Sequence, residues 1–122
     1  MAKILVVEDE PNNLELALRI VRHAGHEAIV ATNGFAALEL AREHRPDLVL
    51  LDLQLPKLDG WTVVRLLRKE QWATGVPIIA VSASASPGDE SKALEAGCTE
   101  FLSKPYYPAT MRELLLRYLP AP

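Results

Sequence analysis

The chain reads as an α/β protein, a doubly wound parallel sheet with helices packed on both faces. Three observations lead there. Short apolar runs alternate about five times with longer stretches whose apolar residues recur at helical spacing. Two of the runs, Lys3–Val7 and Asp47–Leu51, are nearly continuous in Val, Ile and Leu, which suits central strands covered on both sides. Acidic residues stand just past these same two runs, Glu8 and Asp9 after one and Asp52 after the other. Open α/β sheets gather their chemistry at that C-terminal edge.

Ile4–Val7 is the first strand. Pro11 suits the first turn of a helix running to about Ala24, where Leu14, Leu18 and Val21 share a face and Gly25 ends the element. Glu27–Ala31 is the second strand. Gly34–His44 is the second helix, with Ala37, Leu38 and Ala41 inward, and Pro46 stops it. Asp47–Leu51 is the third strand. A loop carrying Pro56 leads to a helix from Trp61 to about Glu70, with Val64 and Leu67 on its buried face. Val76–Val81 is the fourth strand, introduced by Pro77. Ser86 and Pro87 are a good helix start, a cap followed by a first-turn proline, and Gly97 ends that helix. Glu100–Leu102 is a short fifth strand. Pro108–Leu119 is the last helix, with Met111, Leu114, Leu115 and Tyr118 near one stripe. Repeated βα units of this kind imply right-handed crossovers.

At 122 residues the chain is long enough for one buried core, so one domain over 1–122 is expected, with no output domain. The net charge is −3 with no run of Lys or Arg, which argues against a nucleic-acid surface. Cys98 has no partner for an internal disulfide and fits a small hydrophobe in a reducing compartment. No segment approaches the roughly 18 consecutive apolar residues of a membrane span, and the strand pattern begins directly after Met1 and Ala2. A cytoplasmic, independent protein is the expectation.

If the first and third strands are neighbours, Glu8, Asp9 and Asp52 meet at one edge. Unit charges ~4 Å apart repel by about 4 kcal/mol even at an effective dielectric of 20. Such a cluster suits a hard cation such as Mg²⁺, or a carboxylate used as a nucleophile. The pairing suggests phosphoryl transfer. Ser82 after the fourth strand and Lys104 after the fifth bring two more polar groups to the same edge. Taken singly, each is ordinary: a surface lysine, a capping serine, a turn-forming aspartate.

In this order and spacing the chain resembles the response-regulator receiver domain of two-component signalling, over essentially its whole length. The residues that carry the resemblance are Val6–Glu10, Asp47–Pro56, Asp59 with Gly60, Ser82, Ala96 with Gly97, and Phe101–Pro105. The stretches Ala83–Glu90 and Glu95–Cys98 are similar to stand-alone, cell-cycle regulators of the single-domain type. The resemblance implies a five-stranded sheet of order 2-1-3-4-5 in a flavodoxin-like three-layer sandwich. It makes Asp52 the acceptor of a phosphoryl group from a histidine kinase or histidine phosphotransfer protein. Asp9 and Asp52, with Glu8 acting through water and the carbonyl of Gln54, would hold Mg²⁺. Lys104 would pair with Asp52 or the phosphoryl group. Ser82 would donate to a phosphoryl oxygen, and Phe101 would be the switch aromatic. The same resemblance implies a cis peptide at Lys104–Pro105, output through a downstream protein target, slow self-dephosphorylation, and a monomer or weak dimer.

Departures from the family pattern are few, and one of them, Ser82 where Thr is also common, keeps the hydroxyl. Glu8 stands where many members carry Asp, and its longer arm is expected to alter the metal geometry slightly. Gln54 lies where it would tune hydrolysis of the acyl phosphate. His23, His26 and His44 read as surface residues, and Trp61 and Trp72 as packed or half-packed. Tyr106 and Tyr107 follow the Lys-Pro turn, where core packing and a partner face are both open readings.

Rival readings fit less well. A haloacid-dehalogenase-like phosphatase needs a second Asp two residues after its nucleophile, and that position is Gln54, which transfers no proton. A flavodoxin-like electron carrier binds flavin phosphate after the first strand, where Glu8, Asp9 and Glu10 would repel it. A constitutive adaptor on the same fold, or a phosphate-shuttling relay intermediate, would share the residues of a switch.

Overall fold

In the computed structural model, which describes residues 1–83 and 86–120, five parallel strands form one sheet in the order β2-β1-β3-β4-β5. The elements run β1 (Lys3–Val7), α1 (Pro11–His23), β2 (Glu27–Ala31), α2 (Gly34–His44), β3 (Leu48–Asp52) and α3 (Gly60–Arg68). A 3₁₀ turn (Gln71–Ala73) follows, then β4 (Ile78–Ser82), α4 (Asp89–Ala96), β5 (Glu100–Ser103) and α5 (Pro108–Tyr118). The expected fold class, strand order and three-layer arrangement are all present.

Strand periodicity divides the core into two halves. Leu5, Val7, Val49, Leu51, Ile78 and Ala80 point to one face, where they meet Ala37, Leu38 and Ala41 of α2, Val64 and Leu67 of α3, and Ala93 of α4. Ile4, Val6, Leu48, Leu50, Ile79 and Val81 point to the other, against Ala17, Ile20 and Val21 of α1 and Met111, Leu114 and Leu115 of α5. Alternate side chains of one strand serve opposite layers, which explains the unbroken apolar runs. Trp61, Trp72 and Phe101 are half-buried against the first half, and Tyr106 and Tyr118 against the second. Cys98 is buried, and burial pushes its thiol up to about 11. It behaves as the small hydrophobe that the sequence suggests.

Several boundaries differ from expectation for local reasons. β3 starts at Leu48 because Asp47 closes the strand entry: its Oδ2 accepts the Lys3 N–H at 2.8 Å. β4 starts at Ile78, and its leader Pro77 accepts from the Val49 N–H. Both strands run one residue further than expected, so Asp52 and Ser82 are the last residues of β3 and β4 rather than loop residues. α3 begins at Gly60, because Asp59 caps it by accepting from the Thr62 N–H and hydroxyl at 3.0 and 3.1 Å. It ends at Arg68, and Glu70 instead accepts from the Trp72 indole and Arg42. α4 begins at Asp89, not at Ser86 and Pro87. The Asp89 carboxylate reaches back to the Ser86 N–H at 3.0 Å, so Ser86 opens a turn before the helix. Ser84 and Ala85 of the stretch matched to single-domain regulators, and the tail residues Ala121 and Pro122, lie outside the described residues.

His26 is a clear correction, because it is buried rather than on the surface. The chain turns at Gly25 (φ 88°) and brings the imidazole under the N-terminus, where Nδ1 accepts the Ala2 N–H at 3.1 Å. Burial, aided by the N-terminal amine, holds its pKa below the ordinary value, with Asp47 opposing. The unfolded chain therefore binds this proton more readily. The His26 contribution is complete above the unfolded value near 6.5 and is lost as pH falls through the lower folded value. The melting temperature should thus drop more between pH 7 and pH 5 in the parent than in His26→Gln, which keeps an acceptor but does not titrate. Parallel curves for the two proteins would contradict this assignment.

Candidate functional site

The C-terminal ends of β1, β3, β4 and β5 converge on one patch of charge. The β1–β2 ladder continues past β1 through the Glu8 N–H to Ala31 O bond at 3.0 Å, which fixes the Glu8 backbone at the sheet edge. Glu10 then caps α1, its carboxylate accepting from the Asn12 and Asn13 N–H groups at 3.2 and 2.8 Å. Glu8 and Asp9 are therefore held between a strand and a capped helix. Asp52 is aligned with Val81 across the β3–β4 ladder, and its Oδ1 accepts the Gln54 N–H at 2.9 Å. Ser82 pairs with Ser103 in the β4–β5 ladder, and its carbonyl accepts the Lys104 N–H at 2.8 Å. The Lys104–Pro105 peptide is cis, as expected.

Glu8, Asp9 and Asp52 each place a carboxylate oxygen within 4.8 Å of the others. Glu8 and Asp52 are buried, while Asp9 is exposed. Lys104 reaches across from β5, its Nζ 2.6 Å from Glu8 Oε1 and 3.1 Å from Asp52 Oδ2. Three carboxylates against one ammonium leave two negative charges for a divalent cation to neutralise, and an all-oxygen donor set is the kind that hard cations select.

The electrostatics record this crowding. Burial pushes the Glu8 carboxyl above its ordinary value, hydrogen bonds from Lys104 and the Glu10 N–H pull it back only in part, and the Asp52 charge adds to the rise. Burial works against the charged Lys104. Its hydrogen bond to Glu8 and the charge of Asp52 outweigh that, so Lys104 sits above its ordinary value and stays protonated. Tyr106 packs beside the site, and its hydroxyl is raised by burial and by the Glu8 charge. A void of about 20 Å³, enough for a single water, is lined by Glu8, Asp52, Val81, Tyr106 and Met111.

Glu8, Asp9, Asp52, Gln54, Ser82 and Lys104 lie at this edge, and Phe101 lies further down β5. Glu8, Asp9, Asp52 and Lys104 form one connected cluster, with Gln54 contributing its N–H to Asp52. Ser82 borders the cluster through its backbone, and Phe101 stands half-buried opposite Ala80 on β5. The Glu8–Lys104 pair was not anticipated. Its only signal in the sequence is the extra methylene of Glu over Asp, which lets the carboxylate reach further. Tyr107 is 80% exposed, so of the two tyrosines only Tyr106 joins the core. A groove of about 620 Å³ lies away from the carboxylates, between α1 and α5.

Comparison with known proteins agrees with this geometry. The family model "Response regulator receiver domain" matches residues 4–116. The chain belongs to that family. Receiver domains similar to it include the polar-differentiation response regulator DivK of Brucella anthropi, 40% identical over 95% of this chain and 94% of that protein. The corresponding DivK of Brucella ovis is 38% identical over the same shares. Among solved structures, chemotaxis response regulator CheY4 of Vibrio cholerae superposes with a TM-score of 0.91 at 29% identity, covering 98% of this chain and 99% of that one. The receiver domain of sensor histidine kinase PA1611 from Pseudomonas aeruginosa PAO1 has a TM-score of 0.88 at 35% identity over 96% of each chain. It was crystallised with a magnesium ion coordinated in its active-site cleft. Among the described residues, no helix of this receiver domain is long and apolar enough to cross a membrane.

Proposed function

We propose that this receiver domain accepts a phosphoryl group on Asp52, with Mg²⁺, from a histidine kinase or histidine phosphotransfer protein and thereby switches a protein-binding surface. The observation that carries this reading is the juxtaposition of three carboxylates with Lys104 across β1, β3 and β5. Glu8, Asp9, Asp52 and the Gln54 carbonyl are the residues that would hold the cation. Bound there, it would offset the carboxylate charge and that of the incoming phosphoryl oxygens. A carboxylate oxygen of Asp52 attacks phosphorus. The new P–O bond forms as the P–N bond to the donor imidazole breaks, and the leaving nitrogen keeps the electron pair and takes a proton. Lys104, kept cationic by its neighbours, supplies a fixed positive charge beside Asp52. The acceptor carboxylate is already oriented by the Gln54 N–H.

The product shifts a two-state equilibrium. The Ser82 hydroxyl moves toward the phosphoryl group, Phe101 follows into the space vacated, and the face formed by α4, β5 and α5 changes. Inverting a 1:99 population takes about 5.5 kcal/mol, and two charge-assisted hydrogen bonds contribute roughly 1.5–3 kcal/mol each. Output by protein contact, a cytoplasmic setting, slow self-hydrolysis and a monomer or weak dimer belong to the same reading.

Incubation with acetyl phosphate and Mg²⁺, followed by intact-mass measurement, tests it. The mass should rise by one phosphoryl group, and EDTA should prevent the rise. A folded protein that gains nothing would place the constitutive adaptor first.

A further inference from the structure

Both oxygens of Glu8 are engaged within the chain. Oε1 meets Lys104 Nζ at 2.6 Å, and Oε2 accepts the Glu10 N–H at 3.1 Å. Lys104 is shared between Glu8 and Asp52, with the Glu8 contact shorter by half an ångström. The pair is well shielded from solvent, with the Lys104 side chain 13% exposed and that of Glu8 7%. Charge-assisted hydrogen bonds at such buried positions are among the stronger polar contacts.

Resting on the phosphoacceptor reading, we propose that Glu8 is a positioning residue for Lys104, which it draws away from Asp52 and which competes with the cation for the Glu8 carboxylate. An aspartate at this position, one methylene shorter, would withdraw its carboxylate from Lys104 by about the length of a C–C bond, ~1.5 Å. A contact at 2.6 Å then stretches beyond hydrogen-bonding range, since such bonds end near 3.2 Å. Lys104 is left to Asp52 alone. In the parent, cation binding and the Glu8–Lys104 bond oppose each other. In Glu8→Asp they do not.

The test is Mg²⁺ titration of four proteins without any phosphoryl donor: the parent, Glu8→Asp, Lys104→Ala and the double variant. The dissociation constant is read from backbone amide shifts, including that of Glu10, whose N–H reports on Glu8 directly. Glu8→Asp should bind Mg²⁺ about five- to tenfold more tightly than the parent. Lys104→Ala should also bind more tightly, because a competing cation has gone. In the Lys104→Ala background the further change Glu8→Asp should bring no gain, the non-additivity expected of two groups that act on each other. A gain of equal size in both backgrounds would assign the effect to carboxylate geometry and overturn the proposal, as would weaker binding by Glu8→Asp in the parent background. If the parent itself binds no Mg²⁺, the phosphoacceptor reading fails and this inference fails with it. Equal affinities in all four proteins would overturn the inference alone.

Discussion

Asp52→Asn should yield a folded protein that takes up no phosphoryl group from acetyl phosphate at any Mg²⁺ concentration. The amide lacks the anionic oxygen that would attack phosphorus in the proposed reaction, and no other carboxylate in the cluster has the same support. Asp9 is exposed, and both oxygens of Glu8 are occupied by Lys104 and the Glu10 N–H. The fold should be unharmed. Asparagine can keep an acceptor toward the Gln54 N–H, and its neutrality removes the Asp52 charge that helps push up the Glu8 carboxyl. The melting temperature should match or exceed that of the parent, measured by circular dichroism. A large fall would mean that Asp52 is chiefly structural.

Gly60→Ala should lower stability by about 3 kcal/mol, at the upper end of what overpacking costs. Gly60 is the first residue of α3, and its backbone sits directly on the end of β3. A Cβ there would lie 2.5 Å from Leu53 Cα and 2.7 Å from the Asp52 carbonyl oxygen, backbone atoms that cannot move aside as a side-chain tip would. The Gly60 N–H donates to Leu53 O at 3.0 Å, so the helix start and the end of β3 are locked together. Relief requires α3 to lift, with Val63 and Val64, both fully buried, drawn from the core. Denaturant titration reads the loss directly. Because the same contact positions Asp52, Gly60→Ala should also slow phosphorylation in the fraction that remains folded. A change within about 0.5 kcal/mol, the range of ordinary surface substitutions, would contradict the close approach.

Much of this was legible in the residues because the patterns were strong. Five apolar runs, the proline and glycine punctuation, and Glu8, Asp9, Asp52, Ser82 and Lys104 placed just past strands located both the sheet and the edge where these polar groups gather. Where the reading slipped, a tertiary contact had overridden a local signal. Ser86 and Pro87 have good helix-start chemistry, yet the Asp89 carboxylate claims the Ser86 N–H and delays the helix. His26 looks like a turn residue, and only the nearby Ala2 N–H makes it a buried acceptor. Asp52 and Ser82 read as loop residues, because the register that carries each ladder one step further depends on the neighbouring strand. The Glu8–Lys104 pair joins residues 96 positions apart, a contact that spacing along the chain does not encode.

The most direct test of the central claim is to trap the modified residue. After reaction with acetyl phosphate and Mg²⁺, borohydride reduction converts an aspartyl phosphate to homoserine, and peptide fragmentation then locates it. The account predicts homoserine at position 52 and nowhere else, absent when EDTA is present. Homoserine at Asp9 or Asp59 would move the acceptor, and phosphate retained on Ser82 would contradict carboxylate chemistry altogether.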